Sequence, residues 1–287
     1  MHDLIWGAVE PFRLGLLQRA LAEVLLVAVA GAIVGTFVIL RGAAFLGESL
    51  SHTILPGVAI AYALGTSLYL GAGAFALLTV LIVLLGSGRR GVSTDAAIGV
   101  AFAGLFPLGV ILLARRSGTG RDLSDLLFGD PLAADATDLA LTSVLVGGAV
   151  LLVLCAYRPL VASSFDPRFA QTLGYRTRLV EAGFLVAVAA SVIVSTFTVG
   201  NVLSLALLVT PTATARLVTR RLPPMIVVGC ALGMSAGLAA LELSYWFGIA
   251  AGACIVLCAT AELVLVAVVR ALVVRRRRTA RVAATGA

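Results

Sequence analysis

Apolar runs of about 18 or more residues, each long enough to cross a hydrocarbon core of about 30 Å, recur along this chain from Leu21 to its end. No water-soluble fold of 287 residues could hide so much apolar side chain. The sequence is 61% hydrophobic and only 12% charged, about half the charged share of an ordinary soluble domain. Its mean hydropathy is +1.10. The bilayer is therefore the solvent for most of the protein, and the expected class is all-α, a polytopic integral membrane helical bundle.

All 21 basic residues are arginine, and they gather between the apolar runs and in the stretch Arg275 to Arg278. By the positive-inside rule that stretch marks a cytoplasmic end, so 275–287 reads as a basic cytoplasmic tail. The net charge of +7 raises nucleic acid as a partner, but the arginines flank membrane segments without interleaved aromatics, so the partner they imply is the lipid bilayer. Cys155, Cys230, Cys254 and Cys258 all lie within apolar runs, as small buried hydrophobes do, and form no disulfide framework.

Apolar length and arginine-flanked breaks mark spans near 17–40, 45–65, 67–86, 94–115, 138–157, 179–198, 201–219, 224–247 and 250–273. That makes eight or nine transmembrane helices, the uncertain one being 94–115, where Gly99, Gly104, Pro107 and Gly109 can break or kink it. The first span is too long for a signal peptide and reads as an uncleaved helix. Counting back from an inside C-terminus puts the arginine-bearing loops Arg220–Pro224, Arg158–Arg178 and Arg89–Gly91 inside and the acidic loop 116–137 outside. Nine spans would leave the N-terminus outside and eight would leave it inside. With no linker or soluble portion, 1–287 is expected to be a single transmembrane domain.

The chemistry concentrates in Gly47-Glu48-Ser49-Leu50-Ser51-His52-Thr53-Ile54-Leu55-Pro56-Gly57. On a helix Glu48 and His52 are i and i+4 and share one face. A carboxylate oxygen beside an imidazole nitrogen suits Zn²⁺, Mn²⁺ or Fe²⁺. Pro56 has no N–H for the carbonyl of His52, so Pro56-Gly57 predicts a helix broken beside a pathway. A bland alternative, in which Glu48 and His52 only pair with each other or a neighbouring helix, leaves the insertion cost of a central charge, at least about 2.5 kcal/mol, unexplained.

The stretch from Arg41 to Gly57 resembles the signature of the zinc/manganese/iron permease family of ABC importers, usually Gly-Asp-x-x-Ser-His-x-x-Leu-Pro-Gly; here Glu48 stands where Asp is commoner. Further blocks follow in the family's order: Thr94 to Gly99, Leu127-Phe128-Gly129-Asp130, Phe165-Asp166-Pro167 with Ala170 and Gly174, and Ala206 to Ala215. The resemblance implies a permease in the cytoplasmic (plasma) membrane whose cargo is a divalent metal ion, zinc before manganese or iron, with no permanently bound cofactor. It further implies that Phe165 to Gly174 is a cytoplasmic coupling helix docking on a separate ATP-binding subunit pair, and that an extracellular metal-binding protein delivers the ion. Locally, Asp166-Pro167 has the form of an N-cap followed by proline at the first helical position, and Gly174 that of a stop.

The sequence has no lysine and hence no standard P-loop, so ATP hydrolysis falls to another polypeptide and this subunit is not itself an enzyme. Glu48 and His52 supply two ligands where zinc takes about four, so a two-fold homodimer is expected to complete a His₂Glu₂ set. Glu242 lies in a region resembling the family's penultimate helix, which lines the metal path in some members, and is a further candidate metal ligand. Glu23 and Glu262 are expected in interhelical pairs, and Glu181 paired or interfacial near Arg176 and Arg178. Cys254 and Cys258 share a helical face and read as packing, Asp95 as an N-cap, and Pro211 as a kink that frees the carbonyl of Leu207, with Thr212 and Thr214 able to cap such groups. The rival reading is a secondary metal transporter or channel that needs no ATPase.

Overall fold

The computed structural model describes residues 15–87, 93–114, 135–198, 200 and 204–285. The predicted loop 116–137 up to residue 134, the Arg89–Gly91 loop and the Leu127–Asp130 block lie outside the described residues. All regular structure among the described residues is helical: α1 (Gly15–Leu40), α2 (Ala44–Thr53), α3 (Leu55–Leu64), α4 (Leu68–Gly86), α5 (Thr94–Ala114), α6 (Ala136–Cys155), α7 (Tyr157–Phe165), α8 (Pro167–Thr172), α9 (Thr177–Thr198), α10 (Ser204–Val218), α11 (Leu222–Phe247) and α12 (Ala251–Thr285).

Seven of these are long and apolar enough to cross a membrane: α1, α4, α5, α6, α9, α11 and α12. The pair α2–α3, taken together over 44–64, is also long enough to cross. It runs parallel to α5, since the Ser49 hydroxyl donates to the carbonyl of Ile98 at 3.4 Å and Gly109 abuts Leu55 and Pro56. With the shorter apolar α10 this gives nine apolar segments among the described residues, within the eight or nine expected. α5 stays one helix through Pro107, as marked from the sequence. α12 also outruns its predicted end near 273, continuing helical to Thr285.

Burial separates the centre from the periphery. In α1 and α9, 67% of the apolar window is buried, against 22% in α5, α6 and α12. The two central helices share a buried cluster containing Phe37, Leu50, Ile54, Val188 and Val192, and a second cluster joins Val24, Leu207, Leu241 and Ile255 of α1, α10, α11 and α12. Peripheral helices turn residues such as Val100, Ile111, Val144 and Leu265 outward, where lipid is the apolar solvent.

Backbones approach closely where side chains are absent. A Cβ on Gly57 would lie 2.0 Å from the carbonyl oxygen of Gly71, and one on Gly71 would lie 2.2 Å from that of Gly57. Gly57 therefore sits inside α3 as a packing residue; the predicted break falls three residues earlier, at Ile54 between α2 and α3, and Pro56 occupies the first turn of α3. The kink predicted at Pro211 does not divide its helix, since α10 runs unbroken from Ser204 to Val218. The carbonyl that Pro211 frees, on Leu207, lies against Gly31 of α1, where a Cβ would be 3.0 Å away, so α1 covers it. Thr214 donates back to the carbonyl of Thr210 at 2.8 Å. Asp95 is not the cap of α5: Ser93 accepts from the N–H of Ala96 at 3.1 Å, and Asp95 lies within the first turn.

Gly71→Ala forces a side chain into the backbone of α3 and is expected to cost about 1–3 kcal/mol, the usual toll of overpacking. Gly73→Ala on the same helix meets nothing within 4 Å and serves as the neutral control. Unfolding midpoints of the two variants in one detergent check this.

Candidate functional site

α2 places its ligand-bearing residues by simple periodicity. Leu46, Leu50 and Thr53 turn inward and are buried, while Glu48 and His52, one turn apart, share the side facing α5. The His52 Nε2–H donates to Glu48 Oε1 at 3.1 Å, with the two side chains 15% and 32% exposed. Phe102 and Phe106 of α5 stack on each other at 5.4 Å and present themselves edgewise to the imidazole at 5.7 and 4.9 Å. This aromatic wall limits the swing of the ring. Its residues stand at i and i+4 in an apolar run, a spacing that signals packing in any helix, and sequence reasoning passed over them.

Behind the pair, Pro56 opens α3 and brings no N–H to the carbonyl of His52. Thr79 of α4 donates to the Thr53 hydroxyl at 2.9 Å, tying the end of α2 to a neighbour. The site thus offers one carboxylate and one imidazole, held on a helix end and open on one side. No group of three His, Cys, Asp or Glu side chains able to hold a metal occurs among the described residues.

The remaining acids go elsewhere. Glu242 lies on α11 and lines an open groove with Ala239, Leu243, Trp246 and Phe247, apart from Glu48 and His52. Glu23 is 3% exposed and accepts from Thr142 of α6 at 3.3 Å, and Glu262 accepts from Ser235 of α11 at 2.7 Å. Both make the interhelical contacts expected, to hydroxyls rather than to cations. Glu181 bears on Arg41, whose guanidinium pKa is lowered by burial and pushed back up by that carboxylate. Cys254 is buried and Cys258 half-buried.

At one end of the bundle the chain leaves the long helices for α7 and α8. Asp166 caps α8, accepting from the N–H groups of Arg168 at 2.9 Å and Phe169 at 3.1 Å. Pro167 takes the first helical position. Gly174 adopts φ +81°, a conformation costly for residues with a Cβ, and turns the chain toward α9. Phe165 is the last residue of α7 and not part of the short helix itself. Ala170 is fully buried and anchors α8, whereas Phe165, Phe169 and Leu173 are all more than half exposed.

Seven helices long and apolar enough to cross a membrane, an acid–histidine pair on one helix face and a short capped helix between two of the long ones define a multi-pass membrane protein. The chain belongs to the ABC 3 transport family, whose sequence profile matches residues 13–270. It is 38% identical over 244 residues to the manganese transport system membrane protein MntC of Halalkalibacterium halodurans, covering 85% of this chain and 84% of that one. With the manganese import system permease protein ScaB of Streptococcus parasanguinis it shares 37% over 243 residues, 84% and 86% of the two chains. The chelated iron transport system membrane protein YfeD of Yersinia pestis is 29% identical over 86% of this chain and 83% of its own. The solved structure of PsaBC from Streptococcus pneumoniae in complex with Fab matches with TM-score 0.80 at 31% identity, covering 93% of this chain and 95% of that one. The resemblance read from the motifs is borne out, and the protein is a multi-pass permease of the plasma membrane.

Asp166→Ala leaves the first N–H groups of α8 without their acceptor and is expected to cost that helix about 1 kcal/mol. Amide hydrogen exchange at Arg168 and Phe169 should accelerate while α9 amides keep their protection.

Proposed function

We propose that this chain is the membrane-spanning permease of an ATP-driven importer of a divalent transition metal, with manganese as its cargo. The Glu48–His52 pair carries this reading. A charged carboxylate is costly inside a membrane helix, and pairing with an imidazole on the same helix does not account for placing both there. Ligation does, because a metal takes the ionised carboxylate and the neutral imidazole together. For Nε2 to ligate, the neutral ring carries its one proton on Nδ1 and turns the Nε2 lone pair to the cation.

Two donors do not fill the coordination sphere of a first-row ion. A second copy related by a two-fold axis brings another pair and completes a His₂Glu₂ set, with water free to occupy further positions. The metal then crosses between the two copies of α2. Glu242 stays outside this set, apart from the pair on α11, and the ring of Pro211 packs toward Gly233 of α11. The zinc preference drawn from the motifs gains no support from the relatives, of which two are named for manganese and one for chelated iron.

In this scheme α7 and α8 face the cytoplasm, and α8 docks on one of a pair of ATP-binding subunits through Phe165, Asp166, Pro167 and the residues from Ala170 to Gly174. Phe165 and Phe169, exposed on the short segment between two long apolar helices, support this, since no other part of the chain covers them. The nine segments, counted back from a cytoplasmic end at Arg275, put the N-terminus outside, where an extracellular metal-binding protein delivers the ion. The absence of lysine, and so of a standard P-loop, agrees with hydrolysis by a separate subunit.

The test is uptake of radioactive manganese by the assembled system in proteoliposomes. Glu48→Ala and His52→Ala are each expected to lower it by more than about tenfold, as lost metal ligation does. Wild-type rates in both variants, or gradient-driven uptake by this chain without an ATPase, would overturn the reading, the latter in favour of a secondary transporter.

A further inference from the structure

Arg41 lies where three parts of the molecule meet. The turn it occupies is stiff: Gly42 adopts φ +66°, and the N–H groups of Gly42 and Ala43 close α1 onto the carbonyls of Ile39 at 3.2 Å and Val38 at 3.0 Å. α2 begins one residue later and carries Glu48 after a single helical turn. The Arg41 side chain does not follow α2. It reaches back to α7, donating from Nε to Ser164 Oγ at 3.0 Å and from Nη2 to Ser163 Oγ at 2.8 Å.

Both serine hydroxyls donate to the carbonyl of Leu160, at 3.2 and 2.6 Å, which leaves their lone pairs facing the guanidinium. Its Cζ lies 4.4 Å over the ring of Phe184 on α9, and the charge of Glu181 on the same helix acts on it. The two serines directly precede Phe165 and Asp166, which end α7 and cap α8. A rigid fork therefore spans from the root of the short exposed helix to the root of the ligand-bearing one. A lysine could not make these two bonds and the ring contact together.

We propose that Arg41 is the positioning residue through which displacement of α7–α8 reaches α2 and the Glu48–His52 pair. The inference rests on the reading of α8 as the docking element for an ATP-binding subunit. When that subunit pulls α8, the paired serines move the guanidinium, and the stiff turn passes the movement into α2. Removing the fork separates ATP hydrolysis from metal movement without removing a ligand.

The experiment compares the full assembly carrying Ser163→Ala/Ser164→Ala with one carrying Ser163→Thr/Ser164→Thr. The alanine pair spares Arg41 and its contact with Phe184, and the threonine pair keeps both hydroxyls. The alanine pair should still co-purify with the ATP-binding subunit but lose about tenfold in manganese moved per ATP hydrolysed, within the span of known coupling between sites. The threonine pair should restore the ratio. Manganese moved per ATP within twofold of wild type in the alanine pair would overturn the inference, and so would loss of co-purification, which would make the serines part of the dock. Phe169→Ala separates the underlying reading from this one. If that variant binds the ATP-binding subunit as wild type does, the docking assignment fails first, whatever the serine pair does.

Discussion

Apolar side chains gain nothing by leaving lipid for one another, so a bundle of this kind holds together only where backbones come close or polar groups find partners. Both devices are visible here. Gly57 against Gly71 and Gly35 against the carbonyl of Leu208 bring helices together more closely than any side chain would permit. Thr79 with Thr53, Thr142 with Glu23 and Ser235 with Glu262 join helices through hydroxyls. The central position of α1 follows, since it takes part in close contact with α10, hydrogen bonding with α6 and packing on α11.

The candidate site is built on the same constraint. α2 is short, buried on the side that meets α1 and α9, and interrupted at Ile54 just past His52. Glu48 and His52 occupy the side left over, against the phenylalanines of α5. Their mutual hydrogen bond gives the imidazole N–H an acceptor and the carboxylate a donor, but leaves the carboxylate charge in place.

Much of this was legible in the sequence. Apolar length located the crossings, and the i, i+4 spacing put Glu48 beside His52. Asp166, Pro167 and Gly174 announced α8 because capping depends on neighbours in the chain alone. What the sequence concealed depends on contacts between distant segments. Gly57 read as a breaker because nothing local reveals that Gly71 lies against it. Pro211 read as a kink, and nothing local reveals that α10 runs on past it with the ring facing Gly233 of α11. Ser93 and Asp95 are both capable caps, and only the geometry of the first turn decides between them. Arg41 sits in the most recognisable motif of the chain, but its partners are more than 120 residues away.

The interruption at Ile54 divides one crossing into halves that share α4 and α5 as neighbours but hold to them by different means. Before it, α2 is bound to α5 through Ser49 and rooted at the turn that Arg41 ties to α7. After it, α3 is interlocked with α4 by Gly57 and Gly71. An unbroken helix bends as one elastic rod, whereas a rod with a missing rung concentrates flexure there. Bending of this crossing is therefore concentrated at the joint between the segment that holds the acid and the imidazole and the segment whose glycine is locked against α4.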